Sequence, residues 1–291
     1  MMNRRAIAQG LTKTLNASVD EVLALVSTNQ NSSSLALRIG ITGAPGVGKS
    51  SMISRLATYR ANRDNPLSIL AIDPSSPLSG GSLLGDRIRM GDLVDNPDIY
   101  IRSLPSRSSN DGLCNNIPAL IKLLEEAEFS EIILETVGVG QAEYAIRNQV
   151  DIVILVMQPG SGDTIQSMKA GVVEMADILV VNKDDMAGAD IIYAELGEIA
   201  ARGGRLEGWY PKVVRMCARD NKGIDKLSLA IDEAVAWQAK NRDPEQINAQ
   251  RKRYQLQSLL ERRIDELLNE ADEYLLSDTV SECYLHIAES I

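Results

Sequence analysis

The sequence is poor in the residues that bind metals and form disulfides. Its 291 residues include one histidine, His286, and three cysteines, Cys114, Cys217 and Cys283, which lie far apart. They cannot supply the closely spaced Cys/His ligands of a zinc-type site or the paired cysteines of a disulfide framework. We therefore expect a protein of a reducing compartment.

Basic residues are also outnumbered. Lys and Arg total 30 against 40 Asp and Glu, so the net charge is −10 and the isoelectric point is about 4.8. Binding to nucleic acid or to an anionic membrane requires excess positive charge to neutralise phosphates. We therefore expect no nucleic-acid partner and no membrane partner.

Long apolar runs are missing. Ile152–Met157, the longest purely apolar run, has six residues, whereas a membrane-spanning helix needs about 20. The first thirty residues lack the continuous apolar segment of a signal peptide. These features predict a soluble, cytoplasmic protein.

Short β-rich runs alternate with helical stretches between residues 35 and 217. The predicted strands are 35–42, 67–72, 99–103, 132–136, 151–157, 178–182 and 212–217. Several are apolar throughout, which is typical of strands covered on both faces. The alternation predicts an α/β fold with a mostly parallel, helix-covered sheet, joined by right-handed crossovers.

Helical segments flank this region and suggest three parts: an N-terminal helical arm (1–34), a central domain (35–240) and a C-terminal helical arm (241–291). The first arm contains a capping box, Ser18 with Glu21. The second is dominated by a helix predicted over 245–276. Its apolar positions recur three and four residues apart: Leu256, Leu260, Ile264, Leu267, Leu268, Ala271 and Leu275. This stripe either packs back on the chain or forms a homodimer, and the pattern alone favours neither.

A phosphate-binding loop follows the first predicted strand. Residues 43–50 fit G-x-x-x-x-G-K-[ST] and precede a predicted helix over 51–61, the context that this motif requires. Backbone N–H groups and the helix N-terminus would surround the phosphates, Lys49 would reach the β- and γ-phosphates, and Ser50 would bind Mg²⁺. The predicted nucleotide-binding residues here are Gly43, Ala44, Pro45, Gly46, Val47, Gly48, Lys49, Ser50 and Ser51.

The tetrapeptide Asn182-Lys183-Asp184-Asp185 ends the strand predicted over 178–182 and fits N-K-x-D. The Asp185 carboxylate can accept hydrogen bonds from guanine N1–H and from the guanine amino group, whereas adenine would leave it unpaired. The motif therefore predicts guanine selectivity. Cys217 and Ala218, at the end of the next strand, are placed to offer a backbone N–H to the guanine oxygen.

Three acidic residues lie at strand ends or in following loops: Asp73, Asp86 and Glu135. A metal ion bridging the β- and γ-phosphates needs nearby carboxylates, so we predict that these residues, with Ser50, serve Mg²⁺ binding and hydrolysis. Residues 135–138 have the form of a D-x-x-G switch with Glu in place of Asp. The Gly138 N–H would then sense the γ-phosphate.

Three longer strings carry a resemblance: AIDPSSPLSGGSLLGDRIRM, ETVGVGQAE and PGSGDTIQSMKAGVVEMADILVVNKDD. They resemble the MeaB/ArgK family of P-loop GTPases, chaperones of adenosylcobalamin-dependent acyl-CoA mutases such as methylmalonyl-CoA mutase. The resemblance implies that Asp73, Asp86 and Glu135 surround Mg²⁺, that Lys169 enters the active site when the mutase binds, and that the C-terminal arm forms a homodimer.

We therefore expect a GTPase that assists assembly, protection or cofactor loading of such a mutase. Catalysis would depend on Lys49, Mg²⁺ and water positioned by Asp73 and Glu135. Two alternatives remain: a nickel- or cobalt-insertion GTPase, which the shortage of His and Cys disfavours, and a transport-associated ATPase or kinase, which Asp185 disfavours.

Overall fold

The computed structural model describes residues 3–28, 36–61, 65–74, 90–93, 95–106, 113–136, 142–160, 170–202, 208–270 and 279–290. The strands are β1 (Leu37–Thr42), β2 (Leu67–Pro74), β3 (Ile99–Ser106), β4 (Glu131–Glu135), β5 (Ile152–Met157), β6 (Ile178–Val181) and β7 (Lys212–Arg215). The helices are α1 (Arg4–Asn16), α2 (Val19–Thr28), α3 (Lys49–Ala61), α4 (Ile117–Glu126), α5 (Ala142–Arg147), α6 (Ala170–Met175), α7 (Ala189–Arg202), α8 (Ile224–Asn241), α9 (Pro244–Glu270) and α10 (Val280–Ser290). None of the helices described combines the length and the apolar character needed to cross a membrane.

The described strands form one sheet in the order β3-β2-β4-β1-β5-β6-β7. Each neighbouring pair is parallel, so the predicted α/β fold is confirmed. In β1, Ile41 lies opposite Glu135 of β4 and Ile154 of β5. The carboxyl ends of β2, β4 and β1 are consequently adjacent at one edge of the sheet.

Both faces of the sheet are covered, which explains the apolar strands. Ile133 packs with α3 and α8 in one core cluster. Its neighbours Ile132 and Leu134 point the other way and pack with α1, α4 and α5. All six residues of β5 are buried, so this strand has no polar face and no alternation of polar and apolar residues.

The predicted capping box forms at the start of α2. The Glu21 N–H donates to Ser18 Oγ at 3.3 Å, and the Ser18 N–H donates to Glu21 Oε2 at 2.9 Å. Helix α1 precedes it and buries Ile7 and Leu11 against the sheet-covering cluster of α4. The N-terminal helices are therefore packed on the central region.

Helix α9 packs on the N-terminal helices through a face that the predicted stripe does not contain. Leu259 is buried in a cluster with Val19 and Val22 of α2, and Arg262 donates to the carbonyl of Ala17 at 2.9 Å. Arg262 also bonds the Asn116 side chain. Packing on the same chain and homodimer formation are thus not mutually exclusive. The helix packs on its own chain through one face, and its apolar stripe lies on another.

The predicted stripe itself is largely exposed in this chain. Leu256, Leu260 and Ile264 expose 59%, 50% and 37% of their surface. Leu267 and Leu268 are half-buried, and the predicted positions Ala271 and Leu275 lie outside the described residues. A row of leucines this open to water is an unusual feature for a single chain.

Candidate nucleotide site

The phosphate-binding loop connects β1 to α3, as predicted. Gly43 has φ +147°, and a Cβ there would lie 2.3 Å from the Val156 carbonyl oxygen, so a side chain would force the backbone apart. The helix begins at Lys49, two residues earlier than the sequence predicted. Its first N–H groups therefore face the loop, where they and the helix dipole favour a phosphate.

Lys49 lies inside the loop. Its ammonium group donates to the carbonyl oxygens of Gly43 at 2.7 Å and Ala44 at 3.2 Å, and the side chain is buried. Lys49 is thus aimed at the concave side of the loop, where phosphate oxygens would compete for the same ammonium protons.

Ser50 and Glu135 meet at the foot of this loop. Ser50 Oγ donates to Glu135 Oε1 at 3.0 Å. Asp73, buried at the end of β2, lies on the neighbouring strand beyond Glu135. Hydroxyl and carboxylate oxygens are the ligands that Mg²⁺ prefers, so the donor set fits this ion.

The described side chains do not by themselves form a complete metal cage. Among the residues that the structure describes, no three His, Cys, Asp or Glu side chains come together closely enough to hold a metal ion. Mg²⁺ characteristically takes one or two carboxylates and completes its shell with phosphates and water. The few oxygens beside Ser50 are suited to that kind of site.

The N-K-x-D segment lies next to the phosphate-binding loop. The Asn182 side chain donates to the Val47 carbonyl at 2.8 Å and accepts from the Ala218 N–H at 3.2 Å. Lys183 donates to the Gly46 carbonyl at 2.8 Å. Asn182 therefore joins the phosphate loop to the segment after β7, a positioning role that the sequence motif did not specify.

Asp185 lies across from Cys217 and Arg219. The Cys217 thiol donates to Asp185 Oδ1 at 3.1 Å, and Arg219 Nη2 donates to Oδ2 at 3.1 Å. The thiol hydrogen bond lowers the pKa of the Asp185 carboxyl below its ordinary value, burial opposes this shift, and the charge of Arg219 adds to it. Burial, and secondarily the bond to Asp185, raises the pKa of the Cys217 thiol, which keeps this donor protonated at neutral pH.

The cavity of about 500 Å³ beside these groups includes Gly48, Ser51, Asn182, Asp185 and Ala218 in its lining. The structure thus brings the two motifs together, although some 130 residues separate them in the sequence. The predicted contact between a backbone N–H of Cys217 or Ala218 and the guanine oxygen stays a prediction. Asp86, Gly138 and Lys169 lie outside the described residues.

Two arginines at this site carry no motif by which the sequence could have identified them. Arg219 contacts Asp185, and Arg215 Nε donates to Asp184 Oδ1 at 2.5 Å, which anchors the variable position of the N-K-x-D segment. Each arginine comes from β7 or the turn that follows it. Their proximity depends on the pairing of β6 with β7, for which the sequence contains no local signal.

The chain is similar in sequence to a described protein family and to several known proteins. A family model described as methylmalonyl Co-A mutase-associated GTPase MeaB matches residues 8–273. A GTPase-named protein of Pyrococcus abyssi is 44% identical over 192 residues, 65% of this chain and 59% of the relative. The mitochondrial methylmalonic aciduria type A homolog of Caenorhabditis elegans is 40% identical over 205 residues, 69% of this chain and 51% of the relative. The matches thus span between half and three-fifths of these relatives.

Solved structures show the same fold. A LAO/AO transport system kinase superposes with a TM-score of 0.59 at 20% identity, over 99% of this chain and 98% of the other. HypB from Helicobacter pylori, in complex with nickel, gives 0.52 at 14% identity, over 80% and 98%. At these identities the likeness concerns the fold alone. Because the chain contains the P-loop and the N-K-x-D segment and matches the family model over most of its length, it belongs to the MeaB family of methylmalonyl Co-A mutase-associated GTPases.

Proposed function

We propose that the protein binds GTP and hydrolyses it to GDP and phosphate with Mg²⁺. The observation that carries this proposal is that the Asp185 carboxylate and the phosphate-binding loop line one cavity. A guanine at Asp185 would direct its phosphates towards Lys49 and the N-terminus of α3. In the same cavity an adenine would place its N1 acceptor against the carboxylate, so an unfavourable contact between two acceptors would replace a hydrogen bond.

The residues divide the work of hydrolysis. Backbone N–H groups of residues 43–48, except Pro45, and the Lys49 ammonium would hold the phosphates and stabilise the charge that develops on them. Ser50, Glu135, Asp73 and Asp86 would hold Mg²⁺, which supplies charge neutralisation at the β- and γ-phosphates. Asp73 and Glu135 would also orient the attacking water, and Gly138 would sense the γ-phosphate. No covalent intermediate with the protein is required.

The test of this proposal is competition between nucleotides. A fluorescent GDP analogue bound to the protein should be displaced by GTP at far lower concentration than by ATP. Lys49→Ala should lose at least about tenfold in GTP affinity, because a charge-assisted contact to the phosphates is removed. Equal displacement by ATP and GTP would contradict the guanine assignment, and it would favour the ATPase or kinase alternative.

We also propose that the partner is an adenosylcobalamin-dependent acyl-CoA mutase, which the protein assists in assembly, protection or cofactor loading. The support is the family description, which names methylmalonyl Co-A mutase, and the relative named for methylmalonic aciduria. A cytoplasmic location and the absence of nucleic-acid and membrane partners belong to the same proposal. The division into arms and central domain at 34 and 240 stays a prediction.

Lys169 is the residue through which we expect the mutase to act. Addition of methylmalonyl-CoA mutase should accelerate GTP turnover, and Lys169→Ala should abolish the acceleration while GTP affinity is retained. Lys226→Ala, a change at an exposed lysine on α8, is the matched control and should be stimulated like the wild type. Equal stimulation of both variants would show that Lys169 is an ordinary solvated lysine.

A homodimer is proposed from the exposed apolar stripe of α9. A two-fold partner that presents the same stripe would bury it, as in most homodimers. Leu256→Glu combined with Leu260→Glu should therefore give a monomer by light scattering at micromolar concentration, whereas the wild type should be a dimer. Leu229→Glu changes a leucine of α8 that is 59% exposed and should leave the dimer intact. A monomeric wild-type protein would refute the proposal.

A further inference from the structure

The carboxylate proposed to read the base already has two protein donors. Cys217 Sγ lies 3.1 Å from Asp185 Oδ1 and Arg219 Nη2 lies 3.1 Å from Oδ2. The Asp185 side chain is about one-third exposed, at 34%, and it lines the cavity beside the phosphate-binding loop. Each oxygen therefore has its own hydrogen-bond donor on the protein, and the partly exposed side chain is open to the cavity.

The backbone that carries Arg219 is closely constrained. Cys217 and Lys222 form an antiparallel bridge with N–H to O distances of 3.0 and 3.2 Å, so residues 218–221 make a tight turn. Gly223 follows with φ +81°, and a Cβ there would lie 2.3 Å from the Arg215 carbonyl oxygen. The turn cannot open without breaking these contacts, so the backbone of Arg219 is held within reach of Asp185.

These two protein donors determine how much binding free energy the 2-amino group of a purine contributes. Guanine offers N1–H and the 2-amino group to a carboxylate, whereas hypoxanthine offers N1–H alone. In a site with no other donor, hypoxanthine leaves one carboxylate oxygen unpaired, and the site discriminates strongly. Here the guanidinium of Arg219 can keep that oxygen paired when the amino group is missing.

We propose that this site accepts hypoxanthine nucleotides, IDP and ITP, nearly as well as guanine nucleotides, and that Arg219 is the residue that broadens its specificity. The inference rests on the proposed contact between guanine and Asp185. For guanine, the amino group shares Oδ2 with Arg219 or replaces the Arg219 contact. The amino group therefore adds little net binding free energy. For hypoxanthine, Arg219 stays on Oδ2 and no charge is left unpaired.

An opposing reading is that Arg219 forms an ordinary surface ion pair. Its side chain is 74% exposed and it also donates from Nε to Asp220 at 3.1 Å, and exposed pairs of this kind contribute little in water. A bound base, however, removes water from the carboxylate and strengthens the remaining contact. The two readings differ in the ratio of IDP to GDP affinity, and this ratio is the quantity to measure.

The experiment measures dissociation constants of GDP and IDP by calorimetry for the full-length protein. We expect IDP to bind within about fivefold of GDP in the wild type. In Arg219→Met the missing donor should raise the ratio to about tenfold or more, in line with the loss of a hydrogen bond to a charged group. Arg219→Lys keeps a cationic donor and should restore a lower ratio.

Arg55→Met is the matched control, because Arg55 lines the same cavity and makes no hydrogen bond to Asp185 in the described structure. Its IDP to GDP ratio should equal that of the wild type. A wild-type ratio above tenfold, or a ratio that Arg219→Met does not change, would overturn the inference. If ADP binds as tightly as GDP, the proposed guanine site fails instead, so the two failures can be told apart.

Discussion

Asp185→Asn is expected to weaken GTP binding by about 100-fold and to shift the preference towards XTP. The carboxylate would accept hydrogen bonds from guanine N1–H and from the guanine amino group, and losing a hydrogen bond to a charged acceptor costs about 1.5–3 kcal/mol. Asparagine replaces one acceptor with an NH₂ group, which faces the guanine amino group as donor against donor. Xanthine has a carbonyl in place of that amino group, and the new NH₂ can donate to it. Competition of GTP and XTP against a fluorescent nucleotide measures both effects.

The neighbouring residue provides a matched control. Asp184 lies one position before Asp185 but pairs with Arg215, with Oδ1 2.5 Å from Arg215 Nε. Arg215 also donates to Asp190 at 2.6 Å. Asp184→Asn should therefore leave the preference for GTP over XTP unchanged and alter GTP affinity only a few-fold. If Asp185→Asn keeps the wild-type preference, the carboxylate does not contact the base and the nucleotide lies elsewhere in the cavity.

Glu131→Gln is expected to lower the free energy of unfolding by about 3 kcal/mol. Arg60, only 3% exposed, donates from Nε and Nη2 to the two oxygens of Glu131, both at 2.6 Å. The variant leaves a buried guanidinium without its main counter-charge, which typically costs about 3–5 kcal/mol. The bond to Asp232 at 3.1 Å should keep the loss near the lower end. Urea unfolding monitored by circular dichroism is the measurement.

Glu198→Gln breaks a pair of the same chemistry at the surface and is the control. Arg202 and Glu198 lie 3.2 Å apart on α7, with side chains 82% and 70% exposed, and we expect a change of at most about 0.5 kcal/mol. Equal effects of the two variants would contradict the role of the buried pair. Since Glu131 lies at the start of β4, away from the nucleotide edge, the folded Glu131→Gln variant should retain its GTP affinity.

Local sequence was sufficient for the phosphate-binding loop and for the fold class. A Cβ at Gly43 would collide with the backbone of β5, so this position requires glycine. The first position of the G-x-x-x-x-G-K-[ST] motif states that requirement directly. The fully buried β5 likewise appears as an uninterrupted apolar run, because both faces of a parallel sheet are covered. The capping box at Ser18 and Glu21 involves groups three residues apart and was predicted for the same reason.

The hydrophobic periodicity of α9 did not predict which of its residues is buried. It identified the apolar stripe of Leu256, Leu260 and Ile264, but the residue that the chain buries is Leu259. Hydrophobic spacing states which residues of a helix share a face. It does not state where the neighbouring helix lies, and the position of α2 is set by the packing of the N-terminal arm on the central region.

The sequence by itself determined the elements and motifs that depend on neighbours along the chain: the alternation of strands and helices, the phosphate-binding loop, the N-K-x-D segment and the helix caps. Only the tertiary structure decided which groups come together at the candidate nucleotide site. The contact between Arg219 and Asp185, the bond from Asn182 to Val47 and that from Ser50 to Glu135 join segments between 34 and 135 residues apart. Such contacts arise from the order in which strands pair, and strand order follows from burial over the whole sheet and leaves no signal in any short stretch of sequence.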